Sequence, residues 1–513
     1  MAFVLLADVV ATSRSVAATR SRKAKVTALA DALRRAAAES RDQLEIVTSY
    51  LAGALLQRRT GVGWRGLTAL PAPATDPVLT VQAVHDELDR VSALVGSGSQ
   101  AARAAAVQEM FGRATADEQA WLRGLITGGV RQGALESLVQ EALAAAAGVP
   151  LAAVRRAAML AGSTVAVARP AFVGGAAALD EVGLEVGRPV LPMLASSAPD
   201  VAAALDKASG GTGAPVAVDV KLDGIRIQVH RVGDAADTVV VATRSLDDIT
   251  ARLPEVVETA RSLPAASFVL DGEALALDDA GRPRPFQETA SRTAMSEGVR
   301  VTPYFFDVLH LDGHDLLTAP AGERAAALER LVPPDHRVPR LVTDDPVAAQ
   351  DFLEDTIGSG HEGVVVKSLD ASYEAGRRGS AWVKVKPVHT LDLVVLAVEW
   401  GSGRRSGLLS NIHLGARDPR TGDLVMLGKT FKGMSDDMLA WQTERFLTLE
   451  TSRAGHAVHV RPEQVVEVAF DGVQRSTRYP GGVTLRFARV VRYRDDKPVA
   501  EIDTIDTVRS FLP

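Results

Sequence analysis

A lysine beside a short acidic turn is the feature of this chain best suited to chemistry. Residues 221–226 read Lys-Leu-Asp-Gly-Ile-Arg. A primary amine attacks phosphorus only when it is neutral, and burial or neighbouring positive charge favours the neutral form. A lysine next to an aspartate at a turn is more often a surface ion pair, but other segments of this chain favour chemistry. We therefore expect Lys221 to be a nucleophile that forms a covalent bond to phosphorus.

Cationic side chains recur in several short segments along the chain. Such side chains would bind a triphosphate and neutralise the charge that develops during phosphoryl transfer. In Trp382-Val-Lys-Val-Lys386, successive side chains of a strand would face opposite sides, so both lysines lie on one face. By itself, this pattern could also be a lysine face exposed to solvent. The candidate cations are Arg226, Arg244, Lys367, Arg378, Lys384 and Lys386. Together they predict a phosphate-binding site around the lysine.

Two glutamates and one aromatic residue complete the candidate site. Glu273 lies in Leu-Asp-Gly-Glu-Ala and Glu362 in His-Glu-Gly-Val-Val-Val-Lys. Mg²⁺ usually takes one or two carboxylates together with substrate phosphates, so both glutamates could bind it. Without the other segments, the two residues could equally be exposed acids at strand ends. In Tyr-Phe-Phe-Asp, we expect Phe305 to be buried and Phe306, on the opposite face, to stack on a purine.

Strands must position these side chains. Val216, Val218 and Val220 alternate with other residues, and a second alternating run covers 225–229. The runs flank a Leu-Asp-Gly segment, which predicts that Lys221 lies where a strand meets a tight turn. Further strands are predicted at 239–243, 268–277, 304–309 and 363–367. Short strands from 391 to about 491 suit a small β-barrel.

The first 190 or so residues predict helices. Val26, Leu29, Ala30 and Leu33 follow the spacing of one buried stripe. Residues 115–118, Thr-Ala-Asp-Glu, predict a capping box, and a second stripe runs from 135 to 143. The expected fold class is multidomain α+β. It comprises a helical domain at 1–195, an α+β domain with antiparallel sheets at 196–388 and a β-barrel domain at 389–513.

Two other segments allow alternative interpretations. Residues 210–213, Gly-Gly-Thr-Gly, resemble a phosphate loop, but no Gly-Lys-Ser/Thr follows, so we interpret residues 196–213 as a flexible turn or linker. A basic stretch near the C-terminus could contact DNA phosphates without taking part in catalysis. It contains Arg486, Arg489, Arg492, Arg494 and Lys497.

Composition limits the classes of protein that need to be considered. A chain of 513 residues with 47% hydrophobic and 23% charged residues is typical of a globular protein with two to four domains. The chain has no cysteine, which excludes disulfides and cysteine-ligated metal sites. No apolar run is long enough to span a bilayer and no signal peptide is evident, so we expect a cytoplasmic protein without membrane contact.

In order along the chain, these segments resemble the covalent nucleotidyltransferase superfamily of DNA ligases and mRNA capping enzymes. The strongest likeness is to the ATP-dependent DNA ligases of bacteria and archaea. The resemblance implies that Lys221 becomes adenylated, that Arg244 contacts the nucleotide and that Phe306 stacks on adenine. It also implies nucleotide-binding roles for Asp219, Arg226, Glu273, Arg378, Lys384 and Lys386, and metal-binding roles for Glu273 and Glu362.

The resemblance extends over nearly the whole chain. Residues 125–133 are similar to a segment of the ligases' helical DNA-binding domain, 188–195 to the junction before their adenylation domain, and 486–497 to a motif used on the ATP pyrophosphate. The C-terminal barrel is then an OB-fold. One departure is Asp219, where the family usually has glutamate. The aspartate side chain is one methylene shorter, so its carboxylate reaches less far toward the adenine amino group.

The implied function is ATP-dependent sealing of nicks in double-stranded DNA by a monomer with Mg²⁺. Lys221 attacks the α-phosphorus, AMP passes to the 5′-phosphate of the nick, and the 3′-hydroxyl displaces AMP. An RNA ligase or guanylyltransferase is the main alternative, but the helical leader has no obvious use there. An NAD-dependent DNA ligase would bring a cysteine zinc finger. A DNA-nick-binding protein that has lost catalysis is the alternative from another class.

Overall fold

The structure is a computed structural model. It describes residues 3–57, 59–130, 132, 136–233, 236–292, 298–374, 378–402 and 405–512, and the side chain of Arg378 lies outside this description. In the described chain, no helix is long and apolar enough to cross a membrane.

Residues up to 180 form helices around one apolar core, as the sequence predicts. The stripe residues Leu29, Ala30 and Leu33 are buried, and Thr115 and Glu118 form the predicted capping box. Leu135 of the second stripe lies outside the described residues. The helices are α1 Leu6–Ala18, α2 Arg22–Glu39, α3 Leu44–Leu51, α4 Val81–Ser92, α5 Ser99–Gly112, α6 Ala116–Ile126, α7 Glu136–Ala147, α8 Leu151–Leu160, α9 Ala168–Val173 and α10 Gly175–Asp180.

The middle of the chain alternates strands and helices. The strands are β1 Leu194–Ser197, β2 Val216–Lys221, β3 Ile225–Arg231, β4 Val239–Thr243, β5 Phe268–Ala276, β6 Val301–Leu311, β7 His314–Asp315, β8 Arg340–Thr343, β9 Gly363–Ser368 and β10 Arg378–Val385. The helices are α11 Val201–Ser209, α12 Pro254–Ser262, α13 Phe286–Ser291, α14 Ala321–Leu331 and α15 Pro346–Gly358. The interpretation of 196–213 as a linker was wrong, because α11 packs against β9 and β10 with a buried apolar face.

Two five-stranded sheets are built from these strands. The first has the order β1-β10-β9-β2-β8, in which β1 pairs parallel with β10 and the other pairs are antiparallel. The second has the antiparallel order β4-β3-β5-β6-β7. Strands β2 and β3 are consecutive in the chain but belong to different sheets. The turn at 222–224 therefore passes from one sheet to the other and is not a hairpin.

The C-terminal region has its own sheet and core. Strand β11 pairs with β12, β15 and β16, β12 with β13, β14 with β15, and β16 with β19. A two-stranded ribbon, β17-β18, lies beside it. The elements are β11 His389–Trp400, β12 Leu409–Arg417, β13 Leu424–Thr430, α16 Asp436–Thr448, β14 Glu450–Ala454, β15 Ala457–Val460, β16 Val465–Phe470, β17 Gly472–Arg475, β18 Val483–Arg486, β19 Arg489–Tyr493 and α17 Ile505–Arg509. This arrangement agrees with the predicted β-rich region, and closure into a barrel stays a prediction.

Candidate active site

A cavity of about 1350 Å³ lies between the two five-stranded sheets. The first sheet supplies Lys221 at the end of β2 and the face of β10 that carries Lys384. The second supplies Glu273 from β5 and Phe306 from β6. Of the predicted site residues, the cavity is lined by Asp219, Lys221, Arg226, Arg244, Glu273, Phe306, Glu362, Lys367, Lys384 and Lys386. Tertiary structure thus brings together side chains that are spread over more than 160 positions of the sequence.

A carboxylate, and not a cage of cations, is the immediate partner of the predicted nucleophile. Glu362 forms ion pairs with both Lys221 and Lys386. Burial would raise the pKa of the Glu362 carboxyl, but the two ammonium groups outweigh burial and hold its pKa below the ordinary value. The group nearest to Lys221 Nζ is therefore an anion, whereas the sequence analysis expected neighbouring positive charge; the neutral state of the amine stays a prediction. To attack phosphorus, the amine must give up a proton and leave this ion pair.

Glycines allow the backbone to approach closely beside both glutamates. A Cβ at position 224 would collide with the carbonyl oxygen of Ala274, and a Cβ at Gly363 would collide with that of Val385. The Gly224 N–H donates a hydrogen bond of 3.2 Å to Glu273 Oε1. These contacts explain why each carboxylate has a glycine in contact with it or next to it in sequence.

Glu273 has an unusual acidity for a carboxylic acid. Burial raises its pKa to about 7, although Lys221, Arg226 and the Gly224 N–H each act to lower it. A group with this pKa changes charge near neutral pH. Its position in the cavity makes that change relevant to ligand binding.

The carboxylates are compatible with Mg²⁺ bound jointly by protein and substrate. In the part of the chain that is described, no cluster of three or more His, Cys, Asp or Glu side chains is arranged to hold a metal. Glu273 and Glu362 nevertheless line the same cavity, and one or two carboxylates with phosphate oxygens are the usual Mg²⁺ ligands. Bound Mg²⁺ would neutralise negative charge on the phosphates.

Arg226 belongs to a buried network of hydrogen bonds with protein groups. Its guanidinium makes hydrogen bonds of 3.0 and 2.6 Å to Asp271 and one of 2.8 Å to the carbonyl of Met193. The Tyr373 hydroxyl donates to the same Asp271 carboxylate at 2.7 Å. This network ties β3 and β5 to the segment that precedes β1, so Arg226 also stabilises the junction of the two sheets.

An ion cluster that the sequence did not reveal lies at the cavity wall, where Asp219 and Lys367 are lining residues. Asp219 accepts hydrogen bonds of 2.6 and 2.8 Å from Arg340, and Lys367 Nζ lies 2.7 Å from the same carboxylate. The Lys367 ammonium also lies 4.4 Å from the ring centroids of both Phe306 and Trp382. Arg340 is 121 positions from Asp219, so only the pairing of β2 with β8 brings them together.

The basic stretch at 486–497 divides into two parts. Arg486 lines the cavity and pairs with Asp223, at 2.6 Å between Nη1 and Oδ2. The other four cations are bound by carboxylates of the C-terminal region, Arg489 by Asp471, Arg492 by Glu467, and Arg494 and Lys497 by Asp392. Of the five cations in this stretch, Arg486 is the one that lines the cavity.

Arg59 is a lining residue that sequence reasoning missed. Among the described lining residues, it is the one contributed by the helical region. Its side chain is exposed. Most of the helical region separates residue 59 from Lys221 in the sequence. No local sequence pattern therefore connects the two positions.

Family models match three parts of the chain. The ATP dependent DNA ligase domain matches residues 192–386, the ATP dependent DNA ligase C terminal region matches 405–497, and the DNA ligase N terminus matches 67–144. The last match lies in the helical region, for which an RNA ligase or capping enzyme had no obvious use.

Curated relatives are similar over their full length. The chain is 76% identical over 511 residues to a probable DNA ligase of Nocardioides sp., covering 99% of each chain. It is 64% identical to a probable DNA ligase of Kineococcus radiotolerans, covering 98% of this chain and 99% of the relative. Among solved structures, Pmar-Lig_Pre has a TM-score of 0.64 at 16% identity, covering 95% of this chain and 99% of that one, which is a likeness of fold.

A lysine in a cavity with several cations and two carboxylates suits an enzyme that transfers nucleotidyl groups. With the matches above, the chain belongs to the ATP-dependent DNA ligase family. Its activity is the ATP-dependent sealing of nicks in duplex DNA through the family's lysyl-AMP intermediate, with release of pyrophosphate and AMP.

Proposed function

We propose that Lys221 is the residue that carries AMP. The supporting observation is its position at the end of β2, in the cavity between the sheets and paired with Glu362. The Nζ lone pair forms a bond to the α-phosphorus while the bond from that phosphorus to the bridging oxygen breaks, and pyrophosphate leaves. Before the attack the ammonium loses its proton to solvent, and Nζ leaves its ion pair with Glu362.

The remaining lining residues have proposed roles by charge and position. Lys384, Lys386 and Arg244 bind phosphate and ribose oxygens, and Phe306 stacks on the adenine. Glu273 and Glu362 hold Mg²⁺ together with the phosphates. The resemblance also implies a nucleotide-binding role for Arg378, the residue at which β10 begins. Arg486, from the C-terminal region, contacts the leaving pyrophosphate during the first step.

We also propose the finer features of the organisation. The division at 195 and 388, closure of the C-terminal sheet as an OB-fold, the monomeric state and the cytoplasmic location each rest on the sequence argument. Sealing requires the two strand ends to be aligned. The helical and C-terminal regions, on opposite sides of the middle region in sequence, would enclose the duplex, contacting mainly its phosphates.

Covalent labelling tests the proposal. Incubation with ATP labelled at the α-phosphate should leave a label that survives denaturing electrophoresis, and Lys221→Ala should abolish it. Lys207→Ala is the matched control, because Lys207 lies on the outer part of α11 and does not line the cavity. Undiminished labelling of Lys221→Ala would show that another residue is the nucleophile.

A further inference from the structure

The cavity has a polar end and an apolar end. Cations and carboxylates surround Lys221, whereas Val220, Val338, Val365 and Phe306 supply apolar lining. Of the parts of ATP, the base is the one that gains from apolar contact, while the phosphates need the cations. The base therefore belongs at the apolar end.

Asp219 is the acidic group at that end. It lies two residues before Lys221 on β2, so both side chains are on one face of the strand, roughly 6.6 Å apart along it. A nucleotide spans a comparable distance between its α-phosphate and its base. Asp219 and Lys221 both line the cavity, so a base next to the former leaves the α-phosphate near the latter.

Arg340 fixes the Asp219 carboxylate through a two-point contact. Its Nε donates to Oδ1 at 2.6 Å and its Nη2 to Oδ2 at 2.8 Å, and the two Cα atoms face each other across the β2–β8 ladder. Lys367 Nζ takes a third position at 2.7 Å from Oδ2. A carboxylate has about four acceptor positions, so about one remains for a ligand.

We propose that Arg340 is a positioning residue for base selection, acting through Asp219. It holds the shortened carboxylate as a fixed anionic acceptor for the exocyclic amino group of adenine. Guanine presents the acceptor O6 at the equivalent position, which this carboxylate would repel. The inference rests on the proposed function, since it places ATP with its α-phosphate at Lys221.

The ratio of labelling by ATP to labelling by GTP tests this role. Because the ratio is measured on the same folded molecules, loss of stability alone does not change it. We expect Arg340→Met to lower the ratio of initial rates about tenfold, chiefly by raising KM for ATP, and Arg340→Lys to restore part of it.

The chain offers a matched control. Arg324 forms the same kind of buried two-point ion pair with Asp307, at 2.8 and 3.1 Å, but Asp307, unlike Asp219, does not line the cavity. Arg324→Met should therefore keep the wild-type ratio. An unchanged ratio in folded Arg340→Met, or an equal fall in Arg324→Met, would overturn the inference.

Two further measurements keep the test decisive. If Arg340→Met does not fold, Asp219→Asn, which keeps the shape of the side chain and removes its charge, must lower the ratio for the inference to stand. Failure of the proposed function looks different. In that case the wild-type enzyme carries no label on Lys221 with either nucleotide.

Discussion

Asp223, two residues after Lys221, is joined to Arg486 of β18 by a two-point ion pair. The distances are 2.6 Å from Nη1 to Oδ2 and 3.3 Å from Nη2 to Oδ1, and the residues are 263 positions apart. The Arg486 guanidinium also lies 5.2 Å from the ring centroid of Phe286. The C-terminal region thus reaches the turn that follows the proposed nucleophile.

This contact predicts that Arg486→Ala slows formation of the enzyme–AMP adduct. We expect a loss on the order of tenfold, because one charge-assisted contact to the phosphates disappears. The unfolding midpoint should change little, since the pair is partly exposed and such pairs contribute at most about 1 kcal/mol. Rapid-quench labelling with ATP measures the rate. Arg492→Ala, which removes a cation of the neighbouring strand β19 that pairs with Glu467 and does not line the cavity, should keep the wild-type rate.

The acidity of Glu273 predicts a pH dependence of the first step. Its pKa of about 7 means that the carboxyl is protonated below neutral pH and ionised above it. Binding of Mg²⁺ requires the ionised form, so kcat/KM for adenylation should fall as pH decreases through about 7. In Glu273→Gln this step of the profile should be absent, at a lower overall rate. A wild-type profile that is flat from pH 6 to 8 would contradict the assignment.

The ion pairs of Glu362 predict that the free energy of unfolding depends on pH. Glu362→Gln leaves the ammonium groups of Lys221 and Lys386 without their shared carboxylate. We expect the free energy of unfolding to decrease by about 2 kcal/mol at pH 7. The folded-state pKa of Glu362 is lowered, so its stabilisation is present above the unfolded value of 4.5 and is lost as pH falls below it. Urea unfolding of wild type and variant should therefore converge in acid. Glu354→Gln, an exposed acid on α15, should show no difference at either pH.

Arg59 predicts a contribution of the helical region to phosphate binding in the cavity. Arg59→Ala should lower the rate of one step about tenfold, through loss of a charged hydrogen bond. Two assays identify the step, labelling with ATP for the nucleotide phosphates and sealing of a pre-adenylated nick for the DNA phosphate. Arg65→Ala, an exposed arginine of the same segment that does not line the cavity, is the control. Equal rates for both variants in both assays would remove Arg59 from the site.

Strand and helix positions could be predicted where local pattern decides them. The alternation at 216–220 matches β2, the segment at 239–243 matches β4, and the buried stripe of α2 follows its helical spacing. Phe305 is buried and Phe306 lines the cavity, because neighbouring residues on a strand face opposite sides. The linker at 196–213 was predicted wrongly, because glycines at its end obscured the apolar face of α11.

The pattern of residue types by itself determined that a lysine follows a strand and precedes a glycine turn, and that cations, carboxylates and an aromatic residue accompany it. These are local properties, set by alternation and by the backbone freedom of glycine. Only the tertiary structure decided that β2 and β3 separate into different sheets, which opens the cavity between them. It also decided which charges meet, Lys221 with Glu362, Asp219 with Arg340 and Asp223 with Arg486. Ion pairs between such distant positions depend on strand register and on the contact between regions, and no local pattern encodes either.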